Sequence, residues 1–150
     1  MTSRASVAMT LIAALVLAGC GGSSDNTTPE GALQALAAAA NESDDDAIAA
    51  LICPEALAGE KTLTEVKALA KEADPALDDF GYDLTAGPIT EQTDTTAVGS
   101  MAVDVQGTDD ASPAGQQFLD QAGAPLPVGL LRENDRINLI KRDGKWLACE

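Results

Sequence analysis

Ala97-Val98-Gly99-Ser100-Met101-Ala102-Val103-Asp104-Val105 is the stretch that decides the fold class. Ala97, Gly99, Met101, Val103 and Val105 alternate with Val98, Ser100, Ala102 and Asp104. A period of two places the first set on one face of an extended chain and the second on the other, which predicts a half-buried strand. Upstream, Phe80, Tyr82 and Leu84 alternate in the same way with Gly81, Asp83 and Thr85. Downstream, residues 135–141, a turn around Arg142-Asp143-Gly144, and Lys145 to Cys149 predict a closing hairpin. Asp-Gly suits that turn because both positions tolerate positive φ.

Before Phe80 the period is helical. Thr28 can cap a helix and Pro29 suits its first position. Ala32, Leu33, Leu36, Ala37 and Ala40 then fall on one face. Asn41 to Ser43 break the run, and Ser43 with Asp46 resembles a capping box with Asp in place of Glu or Gln. A second short helix follows, with Ala47, Ile48, Leu51 and Ile52 inward. Asp44, Asp45 and Asp46 lie in its first turn, where the helix dipole favours negative charge. That placement explains the acidic run better than a metal site does, since the spacing of oxygen ligands around a central Gly is absent. Pro54 ends this helix or marks its exit. Thr62 or Thr64 caps a third, running to about Glu72 with Leu63, Val66, Leu69 and Ala70 as its stripe, and Asp74-Pro75 stops it. Gly107 to Gly129 is rich in Gly and Pro and reads as a long connection, with a short helical turn at Gln116 to Gln121. Helices first and antiparallel strands after them predict an α+β domain, with the N-terminal helices packed on one face of a curved antiparallel sheet.

The first twenty residues have the parts of an export signal. Arg4 is the only charge, Val7 to Ala18 is almost wholly apolar, and Leu17-Ala18-Gly19-Cys20 follows. The apolar run is shorter than the roughly 17–25 residues that a spanning helix needs. Leu17-Ala18-Gly19-Cys20 resembles the lipobox of bacterial lipoprotein signal peptides. That resemblance implies cleavage of residues 1–19, lipid on Cys20, and a location on the extracytoplasmic face of the cell membrane. Residues 20–28 then form the lipidated cysteine and a flexible tether, and 29–150 a single α+β domain. Two or more acyl chains hold a protein on a bilayer stably, where one holds it weakly.

With Cys20 assigned to lipid, Cys53 and Cys149 remain as one pair in a compartment that permits disulfides. A bridge between them would close a loop of nearly the whole domain, worth about 4–5 kcal/mol on the chain-entropy model. They are not a CxxC pair, and the chain has no histidine to join them in a zinc site. Neither a metal nor a cofactor is therefore expected. The chain carries a net charge of −15, and removing Arg4 with the signal makes it −16. Such acidity argues against nucleic acid and against anionic lipid as partners, and reads as a solvated, self-repelling surface.

Pro29-Glu30-Gly31-Ala32-Leu33, Asp44-Asp45-Asp46-Ala47, Leu51-Ile52-Cys53 and the closing Arg142-Asp143-Gly144-Lys145-Trp146-Leu147-Ala148-Cys149 carry a second resemblance. In helix-then-sheet order they are similar to small lipoproteins of the NTF2-like (cystatin-like) superfamily of cone-shaped α+β domains. The likeness covers residues 29–150, and the chain departs from it in having few aromatics: one Trp, one Tyr and two Phe. It implies a non-catalytic binding domain for a small apolar ligand or a protein partner, with Phe80, Tyr82, Met101 and Trp146 as candidate pocket residues; the plainer reading makes these four core. It implies equally an accessory subunit of a membrane complex, or two copies paired through the open sheet face. Isomerases and cyclases of that superfamily use a His–Asp pair, or an Asp base with a Tyr and a protonated acid. The first set needs a histidine this chain lacks. The second would need Tyr82 with Asp83 or Asp104, whose positions alternate away from the apolar face. A binding protein rather than an enzyme is the expectation.

Overall fold

The computed structural model describes residues 25–122 and 136–149. Helix α1 (Pro29–Glu42) begins as the sequence requires. The Thr28 hydroxyl accepts the Gly31 N–H at 3.1 Å, and Pro29 occupies the first turn, where a missing N–H costs nothing. Its buried face holds Ala32, Leu33, Leu36, Ala37, Ala39 and Ala40. These are mostly alanines, so the helix lies close on the sheet beneath it.

The end of α1 departs from expectation. Ser43 is not the cap of the next helix. It adopts the left-handed conformation (φ 56°) and closes α1, with its N–H and that of Asp44 donating to Ala40 and Ala39 carbonyls. Asp44 caps α2 (Asp45–Leu51) instead, accepting the Ala47 N–H at 3.0 Å. The Asp44 carboxylate stands at the start of α2 and its negative charge suits the N-terminal amides, whereas Ser43 is spent on closing α1 and its hydroxyl takes a bond from Lys67 Nζ at 2.6 Å. Pro54 opens a single-turn helix, α3 (Pro54–Leu57). A complete capping box between Thr62 and Glu65 starts α4 (Leu63–Ala73). Leu63, Val66 and Ala70 of α4 are buried, whereas Leu69, expected in that stripe, lies at its flank and is 38% exposed. A 3₁₀ turn at Pro75–Leu77 follows.

Strands β1 (Gly81–Gln92), β2 (Thr96–Gln106), β3 (Arg136–Arg142) and β4 (Lys145–Cys149) form an antiparallel meander in the order β1-β2-β3-β4. Helix α1 crosses the inner face over β1, β2 and β4. Tyr82, Leu84, Ala97, Gly99, Met101, Ile137, Leu139, Trp146 and Ala148 point to that face and are buried. Gly99 is a close-approach position: a Cβ there would stand 2.3 Å from Leu33 Cδ1 and 3.0 Å from Ile89 Cδ1. The alternation of β2 fades towards its end, where Val103 is half-buried and Val105 is 37% exposed. Two register shifts in β1, between Ala86 and Glu91, bend that strand. Asp143 and Gly144, at φ 50° and 81°, make the β3–β4 turn the sequence calls for.

The region after Gly107 needs a correction. Pro113–Ala122 is a ten-residue helix, α5, not a turn within a loose connection; Gly123 to Gly129 lie outside the described residues. α5 packs on α4 through Asp74. This carboxylate, 5% exposed, accepts the Ala76 N–H at 3.0 Å and the Ser112 N–H at 2.6 Å. Gly115 lies against it, with room for no Cβ: one would stand 2.4 Å from an Asp74 oxygen. The architecture is α+β, with helices on one face of a four-stranded antiparallel sheet.

Candidate functional site

The four candidate pocket residues are strung along the inner face rather than gathered. Tyr82 pairs with Val105 near one end of β2, Met101 pairs with Ala86 in the middle, and Trp146 pairs with Lys141 beyond the other end. Nine residue-to-residue steps along β2, from Val105 back to Thr96, separate the first from the last, which is about 30 Å of strand. These three and Phe80, the fourth, belong to one buried core. Phe80 and Tyr82 meet edge to face, with ring centroids 5.2 Å apart at 76°. Burial pushes the Tyr82 phenol well above its ordinary range, so it stays protonated. Asp83 and Asp104 face each other across β1 and β2 on the outer face, exposed, with the sheet between them and Tyr82. Tyrosine and carboxylates therefore do not share a site. No three or more His, Cys, Asp or Glu among the described residues are placed to hold a metal.

A cleft of about 160 Å³ lies elsewhere, between α2, α3 and the start of α4. Ile48, Ala49, Leu57 and Leu63 give it an apolar lining; Asp45, Glu60, Lys61 and Thr62 complete it. Two of its polar groups are already engaged in building the fold. Asp45 accepts the Leu63 N–H at 3.0 Å, and the Thr62 hydroxyl holds the α4 cap.

The outer sheet face is the larger surface. Val98, Ile140 and Leu147 are half-buried there and Ala102 is exposed, among Thr85, Thr96, Ser100 and Asn138. None of the described helices lies over it. The ion pair of Arg136 with Glu91, at 3.1 Å, crosses its rim. At another corner Arg142 binds the Glu55 carboxylate, which is held below the usual carboxylate range by that guanidinium.

Cys53 and Cys149 stand with Cα atoms 5.1 Å apart, at disulfide distance, although 96 residues separate them. Ile52 pairs in parallel with Ala148, and the Cys53 N–H donates to the Ala148 carbonyl at 2.8 Å. The helical segment therefore joins the sheet at the outer edge of β4. Cys20 lies outside the described residues.

Three structural residues carry more than their sequence setting suggests. Asn41 reads as a helix breaker, yet its amide bonds both backbone groups of Leu84, at 3.0 and 2.7 Å. Asp74 reads as part of a breaker, yet it bonds a residue 38 positions on. Asn26 reads as tether, yet its carbonyl accepts the Trp146 N–H at 2.7 Å. In each case the partner is distant in sequence, and only the local half of the role, a cap or a break, leaves a trace. No protein-family model, no curated protein and no solved structure matches this chain.

Proposed function

We propose that this chain is a lipoprotein, anchored through Cys20 on the extracytoplasmic face of the cell membrane, whose α+β domain binds a protein partner without catalysing a reaction. The observation that carries the reading is Leu17-Ala18-Gly19-Cys20 placed directly after the apolar run Val7 to Ala18. The Cys53–Cys149 pair at disulfide distance supports it, because such pairs persist in oxidising compartments. Within the described residues no helix is long and apolar enough to cross a membrane, and lipid supplies the attachment. The domain is a variant of the NTF2-like cone, with α1 as the helix laid across the sheet.

A protein partner is favoured over a small apolar ligand by two observations. The residues that would line a pocket are core, and the cleft beside α2 is smaller than the roughly 300–1,000 Å³ of ordinary ligand sites. The outer sheet face, by contrast, offers Val98, Ala102, Ile140 and Leu147 together. Such a surface also fits a second copy or a subunit of a membrane complex.

Intact mass of the protein released from its native membrane, without reductant, tests the anchor and the staple together. The expected species begins at a lipidated Cys20 and is lighter by the two hydrogens a disulfide removes. A chain that retains Met1 and carries no lipid would overturn the reading.

A further inference from the structure

We propose that the tip of the β3–β4 hairpin is the membrane-facing end of the domain, where the Lys141 and Lys145 ammoniums meet anionic phospholipid headgroups; this rests on the anchoring through Cys20 proposed above. Charge is unevenly distributed along the chain. Residues 136–149 hold Arg136, Lys141, Arg142 and Lys145 against a single acid, Asp143. Residues 25–122 hold twenty carboxylates against only Lys61, Lys67 and Lys71. The hairpin has acidic neighbours: Glu55 binds Arg142, Asp94 adjoins Thr95, whose carbonyl accepts the Lys141 N–H, and Asp25 precedes Asn26. Counting these three and Glu91, which binds Arg136, the hairpin end carries about one net negative charge, whereas the remainder of the described domain holds sixteen carboxylates against three lysines.

Lys141 and Lys145 supply the cations at that end. Both are exposed, and neither makes an ion pair among the described residues, whereas Arg136 and Arg142 are each held by a glutamate. Lys141 lies over the Trp146 ring at 5.8 Å, which leaves its charge available to a phosphate.

The second, independent observation is where the chain enters the domain. The Trp146 N–H donates to the Asn26 carbonyl, next to Lys145. Asp25 is fixed from the other side: its carboxylate accepts the Thr27 N–H and hydroxyl at 3.1 and 2.6 Å, and its carbonyl fills the space a Gly31 Cβ would need. Cys20 lies six residues before Asn26, so whatever path the chain takes it reaches at most about 22 Å. The anchor thus tethers the domain to the bilayer from this end. The acidity of the whole chain, which argues against free association with anionic lipid, does not oppose this. The anchor fixes proximity covalently, and screening over about 8 Å leaves the nearest charges to set orientation.

The test uses the native lipoprotein, with its Cys20 lipid verified by mass, in vesicles of phosphatidylcholine alone or with phosphatidylglycerol. Acetylation of each lysine is timed by mass spectrometry. Lys141 and Lys145 should react about fivefold more slowly on the anionic vesicles, and high salt should remove the difference. Lys67, beside Gly81, and Lys71, bound to Asp78, lie near the start of β1 at the opposite end and should keep their rates. In Lys145→Gln, which leaves the Asp143-Gly144 turn intact, the slowing at Lys141 should shrink. Equal rates at all four lysines, with lipid retained, would overturn the hairpin proposal and leave the anchor standing. Slowing in native membranes but not in protein-free vesicles would overturn it in favour of an acidic protein. A Cys20 without lipid would overturn both.

Discussion

The two edges of the sheet are closed by different means. At the β4 edge the chain itself does the work. Ile52 pairs with Ala148, the Cys53 N–H bonds the Ala148 carbonyl, and the Asn26 carbonyl takes the Trp146 N–H. Cys53 and Cys149 stand at disulfide distance across the same edge. At the β1 edge one side chain stands guard: the Asn41 amide donates to the Leu84 carbonyl and accepts its N–H. Farther along β1, Pro88 offers no N–H, and the register shifts around Ile89 distort the strand. Open edges recruit other strands, and both devices prevent that. The difference is in their redundancy. The β4 edge has backbone bonds that truncating a side chain does not remove, plus a cysteine pair at disulfide distance. The β1 edge is bonded by the Asn41 side chain near its start and is otherwise left to Pro88 and the distorted register.

Breaking the β4 staple should have the largest effect. Cys53→Ser, or reduction of the wild type, is expected to cost about 2–5 kcal/mol, read as a lower urea midpoint. The backbone pairing of Ile52 and Cys53 should persist, so the variant should keep the association state of the wild type. If oxidised and reduced protein unfold at the same urea concentration, the staple contributes nothing and the edge rests on hydrogen bonds alone.

Asn41→Ala should cost less, about 1 kcal/mol, because Asn41 is exposed and water can replace it at Leu84. Its second consequence distinguishes the two edges. With Leu84 unguarded, association should rise with protein concentration in sedimentation, a change Cys53→Ser should not produce. Asn41→Asp keeps the acceptor for the Leu84 N–H and loses the donor to its carbonyl, so it should fall between wild type and Ala. A monomeric Asn41→Ala at high concentration would show that Pro88 and the bent strand suffice.

The same contrast explains what the sequence made legible. Period two over Ala97–Val105 and Phe80–Leu84, the Thr28-Pro29 start, the cap at Thr62 or Thr64, which falls on Thr62, and the Asp143-Gly144 turn are all local signals, and each corresponds to an element in place. The edges were not legible beyond Cys53 and Cys149, because Asn41 and Leu84 are 43 positions apart. α5 was hidden for a related reason. Its apolar content amounts to a half-buried Phe118 and Leu119, with Gly and Pro around its start, and its docking depends on Asp74, a residue whose sequence setting marks only a break. The candidate site was the least legible. Phe80, Tyr82, Met101 and Trp146 read as pocket or core alike, since a period-two pattern names the face and not how full it is.

Asp74 gives the smallest of the expected effects and lies off both edges, so it separates edge closure from helix docking. Its bonds to Ser112 and Ala76 hold the carboxyl below the usual carboxylate range. A carboxylate depressed in the folded state makes the unfolded chain bind more protons between the two pKa values, so stability rises with pH across that interval. The contribution is complete above the unfolded pKa of about 4 and is lost as pH falls through the folded value. Other groups titrate there too, and protonating a chain of net charge −15 relieves repulsion, so the wild-type curve alone would mislead. The informative quantity is the difference between wild type and Asp74→Asn. It should be largest at neutral pH and shrink in acid, with faster amide exchange confined to α5 and the 3₁₀ turn at Pro75–Leu77 in the variant. A difference independent of pH would mean that the second acceptor oxygen, which the amide lacks, matters rather than the charge, since Asn keeps the shape that fills the space beside Gly115.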